Sequence, residues 1–123
     1  MFDPATEQYV NLATFRKSGV EVRTPVWIAE HSGAYYVFSE GKAGKVKRIR
    51  NNSHVRLAPC DMRGNLKGEW IDGTARLVDD ADEIAQMYPA FTRKYGWQIR
   101  VANFFSRLSG RYQRRAIIAI TLD

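Results

Sequence analysis

The sequence predicts a mainly β domain (β+α): a small barrel of about six strands with two or three short helices, built as one domain over residues 1–123. Three observations predict it. Segments rich in β-branched and aromatic residues recur along the chain, separated by short turns that contain glycine. Apolar residues take helical spacing only around residue 48 and after residue 80. A strong apolar run, Ala116-Ile117-Ile118-Ala119-Ile120, comes after the helices and has to pair inside a sheet already laid down. A chain of 123 residues holds one core of ordinary size.

Asp3-Pro4-Ala5-Thr6-Glu7 reads as a short capped turn, with proline early and an acid after it. Residues 9–16 read as a strand, Lys17-Ser18-Gly19 as a hairpin turn, and residues 20–30 as a second strand. In that strand Val20, Val22, Thr24 and Val26 share one face, and Pro25 marks an edge or a bulge because it lacks a donor for the ladder. His31-Ser32-Gly33 turns the chain into a third strand at 34–39. Residues 44–52 read as a helix with Val46 and Ile49 on one side, ending at Asn51-Asn52. A fourth strand is expected at 54–61 and a long fifth at 66–78, with Gly68 and Gly73 at bends. Asp79-Asp80-Ala81-Asp82-Glu83 is a strong helix start. Pro89 is expected to kink or divide the helical region beyond it, and 97–108 reads as a further helix. The last strand is expected over 113–122.

Charge is segregated. Lys+Arg number 19 against 13 Asp+Glu, a net of +6. Residues 42–56 hold six bases (Lys42, Lys45, Lys47, Arg48, Arg50, Arg56) and no acid. Residues 84–122 hold seven (Arg93, Lys94, Arg100, Arg107, Arg111, Arg114, Arg115) and again no acid. Such clustering points to an anionic partner, against the alternative of a plainly solvated basic face. Nucleic acid is not the expected partner, because no RNP, KH or helix-turn-helix pattern accompanies the bases. Gly41-Lys42-Ala43-Gly44-Lys45-Val46 is not a nucleotide P-loop: Ser39 stands where that motif needs glycine, and Val46 where it needs a hydroxyl.

Other chemistry finds little support. One cysteine, Cys60, excludes a disulfide within the chain, and His31 and His54 have no ligand partner at metal spacing, so no metal is expected. Cys60 lacks a placed base and reads as a small buried hydrophobe. Tyr88, Phe91, Tyr95, Trp97, Phe104 and Phe105 read as core and subunit packing, with a stacking wall as the alternative. The N-terminus has neither a basic region nor an apolar run, and no window approaches a membrane span. A cytoplasmic protein with no membrane partner is the expectation.

The stretch Tyr36-Val37-Phe38-Ser39-Glu40-Gly41-Lys42-Ala43-Gly44-Lys45-Val46-Lys47-Arg48-Ile49-Arg50-Asn51-Asn52-Ser53-His54-Val55 resembles the strand–basic loop–helix–strand of the pyridoxamine-phosphate-oxidase-like split barrels. Thr24-Pro25-Val26-Trp27, Val55-Arg56-Leu57-Ala58-Pro59-Cys60 and Gly73-Thr74-Ala75-Arg76-Leu77 are similar to the small flavin- or deazaflavin-dependent oxidoreductases of that family, many of which use coenzyme F-420. The resemblance covers about residues 9–122. It implies an FMN-binding type of split β-barrel that forms a homodimer, with a cofactor, FMN or coenzyme F-420, in a groove between subunits. It also implies that Ser39, Lys42, Lys45 and Arg48 hold the cofactor phosphate, and that Thr24, Pro25, Val26 and Trp27 line the ring. The implied activity is hydride transfer between that cofactor and a small organic acceptor. No side chain is assigned a catalytic role. The alternatives are a barrel that binds flavin, haem or a tetrapyrrole without turnover, and, more remotely, a basic nucleic-acid-binding barrel.

Overall fold

A computed structural model describes residues 3–40, 44–108 and 115–123. The strands are β1 (Tyr9–Phe15), β2 (Glu21–Val26), β3 (Ala29–His31), β4 (Ala34–Glu40), β5 (His54–Cys60), β6 (Ile71–Val78) and β7 (Arg115–Leu122). The helices are α1 (Gly44–Asn51), α2 (Ala81–Tyr95) and α3 (Trp97–Leu108). All pairings are antiparallel, and the sheet runs β2-β1-β5-β6-β7-β4-β3.

The two edge strands of this sheet, β2 and β3, are consecutive in the chain and joined through Trp27 and Ile28. The sheet therefore curls until its edges meet at one covalent corner, which is a barrel left split along one seam. The fold is the mainly β split barrel that the sequence implies, with three helices and seven strands rather than about six. The extra strand arises because residues 20–30 do not run as one. Ile28 donates its N–H not to a neighbouring strand but to the Tyr95 hydroxyl, at 2.9 Å, and the chain changes ladder there. Pro25 sits in β2, which pairs only with β1, so its missing donor falls on an edge as expected. β7 enters between β6 and β4, again as expected.

Alternation along the strands makes two apolar layers. Val10, Leu12, Val26, Val37, Val55, Leu57, Ala75, Ile118 and Ile120 fill the barrel together with Ile28 and Ile49. Tyr36, Val78, Ile117 and Ala119 point outward and are covered by Met87, Ala90, Phe91, Tyr95 and Ile99 of α2 and α3. Ile49 places α1 at the barrel's end, with Val46 buried beside it.

Two further expectations change. Pro89 does not divide the helical region: α2 continues through it, with Ala85 and Pro89 both exposed, so the carbonyl that loses its partner lies toward water. The break comes at Gly96, at φ 56°, whose N–H returns to the Thr92 carbonyl at 2.9 Å. The strand expected from residue 66 begins at Ile71. Asp61 carboxylate oxygens accept from the N–H groups of Arg63 and Asn65 and from the Asn65 amide, which tightens a turn and holds Asp61 below the usual carboxylate range. After this turn the chain bulges outward, so that Trp70 lies over the guanidinium groups of Arg23 and Arg56 at 4.9 and 4.7 Å.

Candidate functional site

α1 begins in an unusual way. Its first turn has no acid, and Gly44, Lys45 and Lys47 stand where a carboxylate would complement the positive end of the helix. Lys45 is half-buried, and burial, followed by the nearby charge of Arg48, pulls its pKa below the ordinary 10.5. Arg48, one turn on, is also half-buried; burial first, then Arg16 at the end of β1, opposes its charge. None of the ion pairs among the described residues involves Arg16, Lys45 or Arg48.

The arginine is held in place. Its Nε donates to the buried Thr14 hydroxyl at 2.6 Å. Its guanidinium folds back over the helix start, where Nη1 stands 2.7 Å from the position a Cβ on Gly44 would take. Three cations and a helix N-terminus thus gather at one end of the barrel, with no carboxylate paired to them among the described residues. Each repels the others, and an anion relieves that repulsion.

Of the expected phosphate residues, Lys45 and Arg48 are brought together. Ser39 is buried near the end of β4, paired with Ala116 of β7, and by alternation shares the inner side with Val37. Lys42 lies outside the described residues. Arg16 and Thr14 join the cluster without any local signal in the sequence, because only the packing of α1 on β1 brings them there.

The four expected ring residues have different surroundings. Thr24 is half-buried opposite Leu12, and Pro25 is exposed on the outer side beside Gly64. Val26 is in the barrel core. Trp27 stacks on Tyr95, with ring centroids 4.6 Å apart and planes 14° from parallel, and meets Phe38 edge-on at 6.5 Å. Thr24 and Pro25 thus lie outside the chain's apolar layers, while Trp27 packs against the outer layer and is half-buried.

The residues fit the phosphate-bearing end of the cofactor that the resemblance implies: cations with no ion-paired carboxylate among the described residues, backbone N–H groups at a helix start, and a glycine cradle closed by an arginine. Clefts of about 520 Å³ beside Lys67 and Trp70 and about 350 Å³ beside Lys94 and Trp97 lie elsewhere on the chain.

An antiparallel split barrel with a cationic helix start at its end is the class that fold and site define. The chain belongs to the pyridoxamine 5'-phosphate oxidase family, whose sequence model matches residues 4–123. No curated protein matches it. Among solved structures it is similar to the haem storage protein HutZ of Vibrio cholerae, at 14% identity and TM-score 0.71, covering 98% of this chain and 84% of that one. It is also similar to an FAD-binding protein of Mesorhizobium loti, at 17% identity and TM-score 0.60, covering 98% and 84%. A third likeness is to a Clostridium acetobutylicum protein related to general stress protein 26, of the pyridoxine phosphate oxidase family, at 13% identity and TM-score 0.66, covering 95% and 76%. These likenesses establish the fold. Among the described residues no helix is long and apolar enough to cross a membrane, and no cluster of metal-ligating side chains occurs.

Proposed function

We propose that the chain is an oxidoreductase that moves a hydride between FMN or coenzyme F-420 and a small organic acceptor. The cofactor phosphate sits at the start of α1, held by Lys45, Arg48 and Arg16, with Ser39 and Lys42 as further ligands that the family resemblance supplies. The observation that carries this reading is the uncompensated cationic turn at Gly44, with Arg48 pinned to Thr14. When bound, the cofactor supplies the redox chemistry. The chain's residues bind the phosphate, fix the orientation of the ring and exclude water. The edge strand β2, with Thr24 and Pro25 unpacked, is the wall we assign to the ring, and a second copy of the chain completes the groove.

The test is turnover. Reduced cofactor mixed with the protein and a panel of quinone, enone and nitro acceptors is oxidised, as read by absorbance, faster than without protein. Saturable cofactor binding with no acceleration for any acceptor favours the second reading, a binding barrel without turnover. The likeness to a haem storage protein supports that second reading.

A further inference from the structure

Lys94, in the last turn of α2, bonds to backbone carbonyls. Its Nζ donates to Ile28 O at 2.6 Å and to Pro4 O at 3.1 Å, and lies 5.2 Å from the centre of the Tyr95 ring. None of the ion pairs among the described residues involves it. Asp3 and Glu7 are the acids whose charge reaches it, but Glu7 pairs with Lys67 at 3.2 Å and the Asp3 carboxylate accepts the Ala5 N–H at 2.9 Å. An ammonium carries three N–H donors; a neutral amine carries two and a lone pair. Two carbonyls engage both N–H bonds of the neutral form and leave its lone pair over. Burial acts in the same direction and lowers the pKa from 10.5 to about 8. The half-buried side chain also borders open space. It lines a cleft of about 350 Å³ with Thr6, Gln8, Tyr95, Trp97 and Gln98, a volume that suits a small molecule. Trp97 is 73% exposed, and the Gln8 amide donates to the Gln98 amide at 3.4 Å.

We propose that Lys94 captures a small, uncharged aromatic aldehyde from this cleft as a Schiff base. The amine nitrogen bonds to the aldehyde carbon. Its two hydrogens leave with the carbonyl oxygen as one water, and a C=N bond replaces the C=O bond, with no net oxidation or reduction. Once protonated by solvent, the imine holds one N–H, enough for the nearer Ile28 carbonyl. An aldehyde fits better than an acyl donor. Acyl phosphates and coenzyme thioesters bring an anionic leaving group, and among the described residues that line the cleft Lys94 is the only cation. Condensation expels only water, which the open cleft releases. The exposed indole of Trp97 offers an aromatic aldehyde a face to stack on. This chemistry is independent of the anion site at the start of α1.

Incubation of the full chain with benzaldehyde and cyanoborohydride at about pH 7.5, followed by peptide mass mapping, tests this. Cyanoborohydride gives a hydride to the C=N bond and fixes it as a secondary amine. At that pH about a quarter of an amine with a pKa of about 8 is neutral, against about one in a thousand of an ordinary lysine. Burial slows approach, so Lys94 is expected to be labelled at least about tenfold faster than each of the other five lysines, Lys45 included. The rate is expected to saturate with benzaldehyde concentration. Trp97→Ala, altered at an exposed position, raises the half-saturating concentration by about threefold or more, with Lys94 still the residue labelled. Labelling of Lys94 no faster than of the other lysines overturns the proposal. So does a rate that stays linear in benzaldehyde, the mark of a reactive amine without a site, and so does an unchanged half-saturation in Trp97→Ala.

Discussion

The Arg48 guanidinium occupies the space where a side chain on Gly44 would begin: Nη1 lies 2.7 Å from that Cβ position. A glycine opens the helix there because the arginine four residues on turns back over it. The same arginine is tied by Nε to Thr14 on β1. Helix start, strand end and cation are therefore one unit, and the predictions begin from it.

Gly44→Ala should leave the fold intact. The added methyl meets the far end of the Arg48 side chain and no backbone atom, so the guanidinium shifts to make room while the helix stays in place. Cofactor affinity should fall several-fold while thermal unfolding shifts by less than about 1 kcal/mol, since alanine is no worse than glycine in a helix. Binding isotherms and melts on the same preparation check both halves.

Lys45→Ala and Arg48→Ala should separate binding from stability. Lys45→Ala weakens cofactor binding by about 1.5–3 kcal/mol, the usual worth of a charged hydrogen bond, and leaves folding nearly unchanged. Arg48→Ala loses binding too, but also strands the buried Thr14 hydroxyl, at a stability cost of about 1–2 kcal/mol. Denaturant unfolding of both variants reads the difference.

Tyr95→Phe should destabilise the protein by about 2–3 kcal/mol. The Tyr95 hydroxyl accepts the Ile28 N–H at 2.9 Å and donates to the Gln8 carbonyl at 2.7 Å. Phenylalanine keeps the stack on Trp27 and leaves Ile28 without its partner at the corner where the barrel edges meet. An unfolding midpoint equal to wild type contradicts this role.

Stability should rise with pH through the Lys94 amine. Burial lowers its pKa from 10.5 to about 8, while Nζ donates to the Ile28 and Pro4 carbonyls at 2.6 and 3.1 Å. Between about pH 8 and 10.5 the unfolded chain keeps this proton and the folded one does not, so unfolding takes up a proton and stability increases with pH. For a half-exposed group the gain is about 1 kcal/mol after solvent screening. Tyr95 acts oppositely at higher pH. Burial raises its pKa to about 12, so the unfolded chain ionises first and stability falls above pH 10. The stability gap between wild type and Lys94→Met, followed from pH 7.5 to 10, should widen in favour of wild type; a flat gap contradicts the assignment.

Gly73→Ala should cost about 1–3 kcal/mol. A Cβ there meets the Thr121 carbonyl oxygen at 2.9 Å, a backbone atom held in the β6–β7 ladder that cannot swing away. A melt settles it.

The legible part of the sequence is local. Alternating residues announce the strands, Pro25 announces an edge, Asp80 announces the start of α2 (its carboxylate accepts the Asp82 N–H at 3.1 Å), and the bases after Ser39 announce the acid-free first turn of α1. The illegible part depends on distant partners. The break at Ile28 exists because a tyrosine 67 residues away supplies its acceptor. Arg16 and Thr14 join the site because α1 packs on β1. Pro89 is tolerated in α2 because that side of the helix faces water. The spacing of Trp97, Val101, Phe104 and Leu108 suits a core stripe equally well, and only the packing shows which side of α3 is turned inward.

Side-by-side fluorescence titrations of FMN and coenzyme F-420 with wild-type protein and Lys45→Ala test the central claim most directly. The account predicts saturable quenching of at least one cofactor by wild type, with a Kd raised about tenfold or more in Lys45→Ala. Identical Kd values for the two proteins, or no quenching of either cofactor, would contradict it.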